Sequence, residues 1–221
     1  VEFTKTSNDI TPTYYTIQNR ITDEGFAGSI NHKTFYDANI NDGSIDISGD
    51  GVITGSLAFN IGAKVTSALA ISGQTDGTDD TSSPLSAGNS ITAVYIDGVD
   101  SACSVKSFNL SVKNNYTGDR SAACEGEQYA FGGFDLDGSL TTWSTTASPY
   151  DWETKYENGD DISLAVLMEW PDGNWMIIDV LSTKLTDHSM PDGKNVILEN
   201  SMTWAAQEDE ATTRTVQIFR S

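Results

Sequence analysis

The chain of 221 residues carries 32 Asp and Glu against 12 Lys and Arg, a formal net charge of −20. Proteins that hold nucleic acid neutralise phosphates with Lys and Arg, and anionic membranes ask for the same cations, so both are disfavoured as ligands over any large surface. The length suits one large β domain or two small ones, apolar residues are only 38% of the chain, and no apolar run approaches the ~20 residues of a membrane span.

The remainder is rich in Ser, Thr, Asn, Asp and Gly, which favour strands and turns over helices. In chain order, alternation predicts a strand from Tyr14 to Arg20, a turn at Asp23-Glu24-Gly25, and an extended segment from Phe35 to Ile40 that ends in a turn at Asn41-Asp42-Gly43. A hairpin follows: Ser44 to Ser48, a Gly49-Asp50-Gly51 turn, and a half-buried return strand with Ile53, Gly55, Leu57, Phe59 and Ile61 on one face. Residues 73–90 read as a linker or loop joining two halves, 1–72 and 91–221, of a single domain 1–221.

Beyond it, strands are expected at Ile91 to Ile96 and Phe108 to Lys113, then a loop from Asn114 to Gln128, then a strand in which Phe134, Leu136 and Leu140 alternate with Asp135, Asp137 and Ser139. One short helix, about 148–158, has Ser148 as N-cap, Pro149 at the first helical position and Gly159 as terminator. Ile162 to Trp170 and Trp175 to Leu181 form a hairpin around Pro171-Asp172-Gly173-Asn174, and strands Asn195 to Ala206 and Arg214 to Arg220 close the chain. About ten strands joined mostly by hairpins predict an all-β fold, an antiparallel β-sandwich or barrel.

Catalysis finds no support in the residues. A nucleophilic triad needs a histidine base, and only His32 and His188 exist, the latter in a turn-like Thr186-Asp187-His188-Ser189 with no G-x-S-x-G element. Asp46-Ile47-Ser48-Gly49-Asp50-Gly51 resembles the start of a calcium loop, but position twelve is Leu57 where a bidentate Glu is required, so it reads as a β-turn. Asp76, Asp79 and Asp80 form a loop cluster with at most weak cation affinity. No catalytic, cofactor-binding or metal-binding residue is therefore assigned. Cys103 and Cys124 flank a turn-rich stretch; a disulfide between them and two free thiols are both compatible with the spacing, with free thiols favoured.

Two stretches resemble a known family. Tyr14 to Lys64 carries Tyr15, Arg20, Asp23, Phe35, Tyr36, Ile45, Ile47, Gly51, Thr54, Gly55, Phe59 and Gly62 in the order found in the tail tube proteins of siphophages. Phe108 to Arg220 is similar to the rest of that family, with FNLSVKNN, DLDGSLTTW and the closing Val216-Gln217-Ile218-Phe219-Arg220. Members usually carry more sequence before the position of Tyr14, and residues 73–89 have no counterpart in them.

The resemblance implies a structural virion protein and no enzyme: homo-hexameric rings stack into a tail tube, meeting tail tip or initiator and terminator proteins, with assembly in the host cytoplasm. Viral DNA passes through the lumen without specific binding, no membrane is a partner, and no cofactor is implied. Inner sheets closing into a continuous barrel would remove the unpaired edges of long alternating strands. Asp46, Asp135, Asp137 and Ser139 become candidates for the lumen face, and Asn114, Asn115, Tyr116, Arg120 and Glu125 for a loop that contacts the neighbouring ring. Competing readings are the tube protein of a contractile injection system and a secreted β-sandwich that binds carbohydrate or calcium.

Overall fold

A computed structural model describes residues 2–3, 15–22, 30–49, 51–67, 85–101, 103–120, 127–130, 132–143, 151–190, 199–212 and 214–221. In chain order the elements are β1 (Glu2–Phe3), β2 (Tyr15–Thr22), β3 (Ile30–Ser48), β4 (Thr54–Asn60), β5 (Ala63–Ser67), α1 (Ala87–Ser90), β6 (Ile91–Ile96), β7 (Val99–Asp100), β8 (Val105–Lys113), β9 (Thr117–Arg120), β10 (Glu127–Ala130), β11 (Asp135–Trp143), α2 (Trp152–Asn158), β12 (Ile162–Glu169), β13 (Trp175–Ser189), β14 (Glu199–Ala206) and β15 (Val216–Arg220). All pairings are antiparallel, as expected of an all-β fold, but the sheet does not close into a barrel.

Two layers share one core. The first runs β4-β3-β8-β11-β14 and ends on the C-terminal half of β13; the second is built by the N-terminal half of β13 with β15 on one side and β12, β6 and β7 on the other. Strand β13 therefore belongs to both layers. Ile47, Phe108, Leu110, Leu140, Met202 and Trp204 from the first layer meet Ile96, Ile162, Leu164, Val166, Ile178 and Val180 from the second. These are the apolar positions of period-two strands, and burying each side chain contributes about 1.5–3 kcal/mol.

Gly138 is what lets the Trp204 indole lie against the sheet. It lies in register between Leu110 and Trp204, and a Cβ there would collide with the Asn109 carbonyl oxygen and the Trp204 indole. The indole fills the space that glycine leaves and stacks on Phe108 with centroids 5.9 Å apart.

Several expectations are corrected. Asn41-Asp42-Gly43 is no turn: β3 runs through it, with a register shift between Ile40 and Asp42. The polar groups are taken up by neighbours: Asn41 O and Oδ1 accept from the backbone N–H groups of Asn114 and Tyr116, and Asn41 Nδ2 donates to Asp42, while Gly43 faces the Leu57 side chain. The expected half-buried strand β4 has an exposed apolar face, with Leu57 62% exposed, because the second layer does not extend over it.

The segment 114–128 is not simply a loop, as β9 and β10 form a hairpin within it. Helix α2 begins at Trp152 with Asp151 as its cap, the carboxylate accepting from Thr154 N at 3.1 Å; Ser148 and Pro149 lie outside the described residues. Gly159 terminates it at φ 66°. His188 lies in β13, not in a turn, and Trp175 pairs with Glu169 in the expected hairpin. A helical turn, α1, forms the last residues of the expected linker 73–90, of which residues 73–84 lie outside the described residues, as do Asp23-Glu24-Gly25 and the Asp76, Asp79 and Asp80 cluster.

On the outward side of the second layer Asp179 stands between Ala165 and Gln217, with no hydrogen bond among the described residues, and burial pushes its carboxyl up.

Two outcomes follow for stability. Gly138→Ala should lower the unfolding free energy by about 3 kcal/mol or more, read by urea denaturation. Asp179→Asn should raise the melting temperature at pH 7 by about 2–4 °C. That gain should shrink on acidification, because the folded chain takes up the Asp179 proton before the unfolded one and so gains stability as pH falls through the raised value.

Candidate functional site

The first layer has a second face, opposite the core, and its residues are polar in every row. Across β4, β3, β8, β11 and β14, Ser56, Ser44, Ser111, Asp137 and Ala205 make one row, and Thr54, Asp46, Asn109, Ser139 and Thr203 the next. Asp42, Lys113 and Asp135 form a third, and Ser48, Ser107, Thr141 and Ser201 a fourth. The same alternation that sends Ile45, Leu110 and Leu136 inward sends these outward.

All four candidates for the lumen face, Asp46, Asp135, Asp137 and Ser139, lie on this face. Each carboxylate is engaged. Asn109 Nδ2 donates to Asp46, Asn115 Nδ2 to Asp135 at 2.6 Å, and the Lys113 ammonium to Asp137 at 2.6 Å. Serine and threonine hydroxyls bond one another across strands: Ser44 Oγ to Ser56 Oγ at 2.9 Å and Thr186 Oγ1 to Thr203 Oγ1 at 2.8 Å.

Lys113, Lys106 and Lys184 are held by acids. Lys113 lies among Asp137, Asp42 and Asp135, and the Asp137 hydrogen bond and charge push its pKa above 10.5. At the far end Lys106 donates to both oxygens of Glu199, at 2.8 and 2.9 Å, and its ammonium lies 5.3 Å from the Trp143 ring centre. Lys184 reaches Asp161 at 3.6 Å. Lys113 and Asp137 are 44% and 39% exposed, so their pair is worth no more than about 1 kcal/mol to the fold. Its effect is on the surface potential: it occupies the ammonium at this end of the face.

Of the remaining candidates, Asn114, Asn115 and Tyr116 lie at one end of this face. Asn114 and Tyr116 are tied to β3, with Asn114 Nδ2 donating to Ile40 O at 2.8 Å, and Asn115 adopts φ 47°, a region asparagine tolerates. Arg120 pairs in register with Glu127 in the β9–β10 hairpin, while Glu125 lies outside the described residues. An open pocket of about 200 Å³ beside them, lined by Lys113, Phe134, Asp135, Asp137 and Thr215, is smaller than the ~300–1,000 Å³ of small-molecule sites.

No arrangement here resembles a catalytic centre or a metal centre. Among the described residues no three metal-ligating side chains converge. His188 Nε2 lies 3.2 Å from Asn200 Oδ1, and its ring is 6.4 Å from that of Tyr156. Cys103 is exposed in a turn, and Cys124 lies outside the described residues. No helix among the described residues is long and apolar enough to cross a membrane.

Sequence reasoning missed Lys113 and Asn109 as partners of the acids. Their alternation is visible, but the register that places Lys113 against Asp135 and Asp42 spans the long 114–134 connection and cannot be read from spacing.

A sequence profile of the family described as phage tail tube protein matches residues 1–206. No curated protein matches the chain. Among solved structures, a chain in a cryo-electron-microscopy structure of the anti-feeding prophage baseplate, six-fold symmetrised, aligns at a TM-score of 0.40 and 11% identity, over 59% of this chain and 91% of that one.

The Lys113 pair gives a pH signature. A lysine whose folded pKa is raised contributes stability that is complete below 10.5 and disappears as pH climbs through the raised value. Nuclear magnetic resonance of the Lys113 side chain should therefore show titration above the ordinary lysine value, and Asp137→Asn should bring it down. A Lys113 that titrates at the ordinary value would mean the pair is open in solution.

Proposed function

Because the chain belongs to the phage tail tube protein family, a family of structural tail components and not of enzymes, we propose that it is the ring-forming subunit of a long-tailed virus's tail tube. Homo-hexameric rings of this subunit stack between an initiator at the tail tip and a terminator, and viral DNA passes down the lumen. The subunit works as a single domain, without catalysis or cofactor, as part of the virion, after assembly in the host cytoplasm.

The observation that carries this reading is the polar face of the first layer, where hydroxyls and carboxylates lie row upon row and Lys113 is held by Asp137. This face lines the lumen, with Asp46, Asp135, Asp137 and Ser139 exposed to the channel. At physiological salt the Debye length is ~8 Å, so an acidic wall cannot repel DNA from a distance. The scarcity of free ammonium and guanidinium groups matters more, because each phosphate that pairs with one must be released before DNA moves on. The segment of the chain that carries Asn114, Asn115, Tyr116, Arg120 and Glu125 reaches the next ring.

Negative-stain electron microscopy of the purified protein, with its mass measured in solution, should show hollow rings or tubes. A strict monomer at all concentrations and salts, combined with retention on a glycan or a calcium-dependent melting shift, would replace this reading with that of a binding module. The lumen assignment has its own test. Ser139→Lys and Asp137→Asn each set an ammonium free on the face, so assembled tubes should retain DNA at low salt and release it as salt rises. DNA retention equal to that of the unaltered tube would remove the polar face from the lumen.

A further inference from the structure

The second layer also has an outward face, and its character is opposite to that of the polar face. Alternation sends Leu164, Val166, Ile178 and Val180 into the core, and the same alternation sends Leu167 and Ile177 outward. One row of this face is apolar across four strands, from Phe219 through Ile177 and Leu167 to Ala93. Trp175 extends it along β13 and Tyr95 along β6. Phe219 is 43% exposed, Trp175 38% and Tyr95 37%, so three aromatic rings stand partly in solvent on one side of one sheet. On a chain with a net charge of −20, an apolar patch of this kind marks a place where another molecule docks.

One carboxylate lies within the face. In the row beside the apolar one, Asp179 stands between Gln217 and Ala165, and Ala165 is followed by Tyr95. Neighbouring strands lie ~4.8 Å apart, so the backbones that carry Asp179 and Tyr95 are ~10 Å apart with only the Ala165 methyl group between them. A shallow slot results, with an acid on one flank and an aromatic ring on the other.

Asp179 differs from the acids of the polar face. Asp46, Asp135 and Asp137 each accept a hydrogen bond from a side chain, whereas Asp179 accepts from none among the described residues. Its surroundings disfavour the charge, so the carboxylate is kept at a cost to the fold. A group that weakens the fold and has no partner in its own chain is one held for a partner outside it.

The slot selects that partner by its chemistry. A guanidinium is planar and weakly hydrated; it stacks on an aromatic ring while donating two hydrogen bonds to a carboxylate, which an ammonium cannot do. The apolar row alongside takes aliphatic side chains. A second copy is a poor source of the cation, because it brings a further net charge of −20 and its Lys106, Lys113, Lys155 and Lys184 are already held by acids. A basic protein is attracted to the acidic chain as a whole and meets complementary charge and apolar surface together at this face.

We propose that the outward face of the second layer docks a segment of a different tail protein in which arginine alternates with apolar residues, the guanidinium held between Asp179 and Tyr95. The face looks away from the polar face, across the core. Its position on the tube therefore rests on the reading above: with the polar face on the lumen, the docked protein covers the exterior of the tube.

Fluorescence anisotropy of a dye-labelled peptide of alternating arginine and leucine tests the site on the full chain, whatever its state of assembly. Asp179→Asn should weaken binding about tenfold, the loss expected for a charge-assisted pair. Asp160→Asn, which removes an exposed acid elsewhere, should leave binding unchanged. No binding, or equal affinity for both variants, would overturn the site, since the peptide would then answer at most to net charge. Hydroxyl-radical labelling identifies the occupant: Tyr95, Trp175 and Phe219 should react as fast in rings or tubes of the pure protein as in the unassembled subunit. Slower reaction on assembly would make a second copy the occupant, and reaction as slow as that of the buried Trp204 in the unassembled subunit would make it the chain itself; either overturns the proposal. A pure protein that forms neither ring nor tube would remove the ring reading and the exterior placement with it, while the peptide measurement would still decide the site.

Discussion

Register is the constraint from which the other properties of this protein descend. A slip of β11 by one residue against β8 would turn Leu136 and Leu140 to water and drive Asp135, Asp137 and Ser139 into the core. Burying those carboxylates unpaired would cost far more than the strands could recover. Two local features hold the register. Gly138 is the one position on β11 where the Trp204 indole can lie flat against the backbone, and a neighbouring residue brought opposite it would collide. On the reverse side, Lys113 meets Asp137 only in this alignment. Core packing and surface electrostatics select the same alignment from opposite sides of one sheet.

Strand β13 converts that sheet into a sandwich. It is long enough to serve both layers, pairing with β12 and β15 through its first half and with β14 through its second; the roles change at Thr183, and a register shift against β14 follows between Leu185 and Asp187. Bulges of this kind bend a strand and increase its local twist. Similar shifts occur in β3 between Ile40 and Asp42 and in β11 between Thr141 and Thr142. Curvature therefore comes from a handful of positions, and the straight stretches between them keep a strict two-residue alternation.

That division explains what could be read in advance. Alternation in 44–48, 108–113, 134–140 and 162–168 is a local property, and it marked the strands and the two-faced character of the first layer, including the shared face of Asp46, Asp135, Asp137 and Ser139. The Pro171-Asp172-Gly173-Asn174 turn and the Gly159 helix stop are local too. What escaped depends on distant partners. Asn41-Asp42-Gly43 has turn chemistry, yet its polar groups are satisfied by Asn114 and Tyr116, more than seventy residues away. Leu57 has the pattern of a buried residue and is exposed because the covering layer stops short of it. The β9–β10 hairpin is built from TGDR and EQYA, whose polar composition carries no strand signal. The helix began later than expected because Asp151, with both Thr154 groups to bind, outcompetes a cap further upstream.

The polar face has a consequence for friction. Its residues are mostly serine and threonine, short side chains that add little height to the backbone and are already partly bonded to one another, as in the Ser44–Ser56 and Thr186–Thr203 pairs. Their spare lone pairs and protons bind water, with bonds that exchange on the timescale of the liquid and hold no fixed charge in place. A polymer moving along such a wall shears a film of water over a smooth surface, and the drag it feels is set by the viscosity of that film and by the width that short side chains leave open.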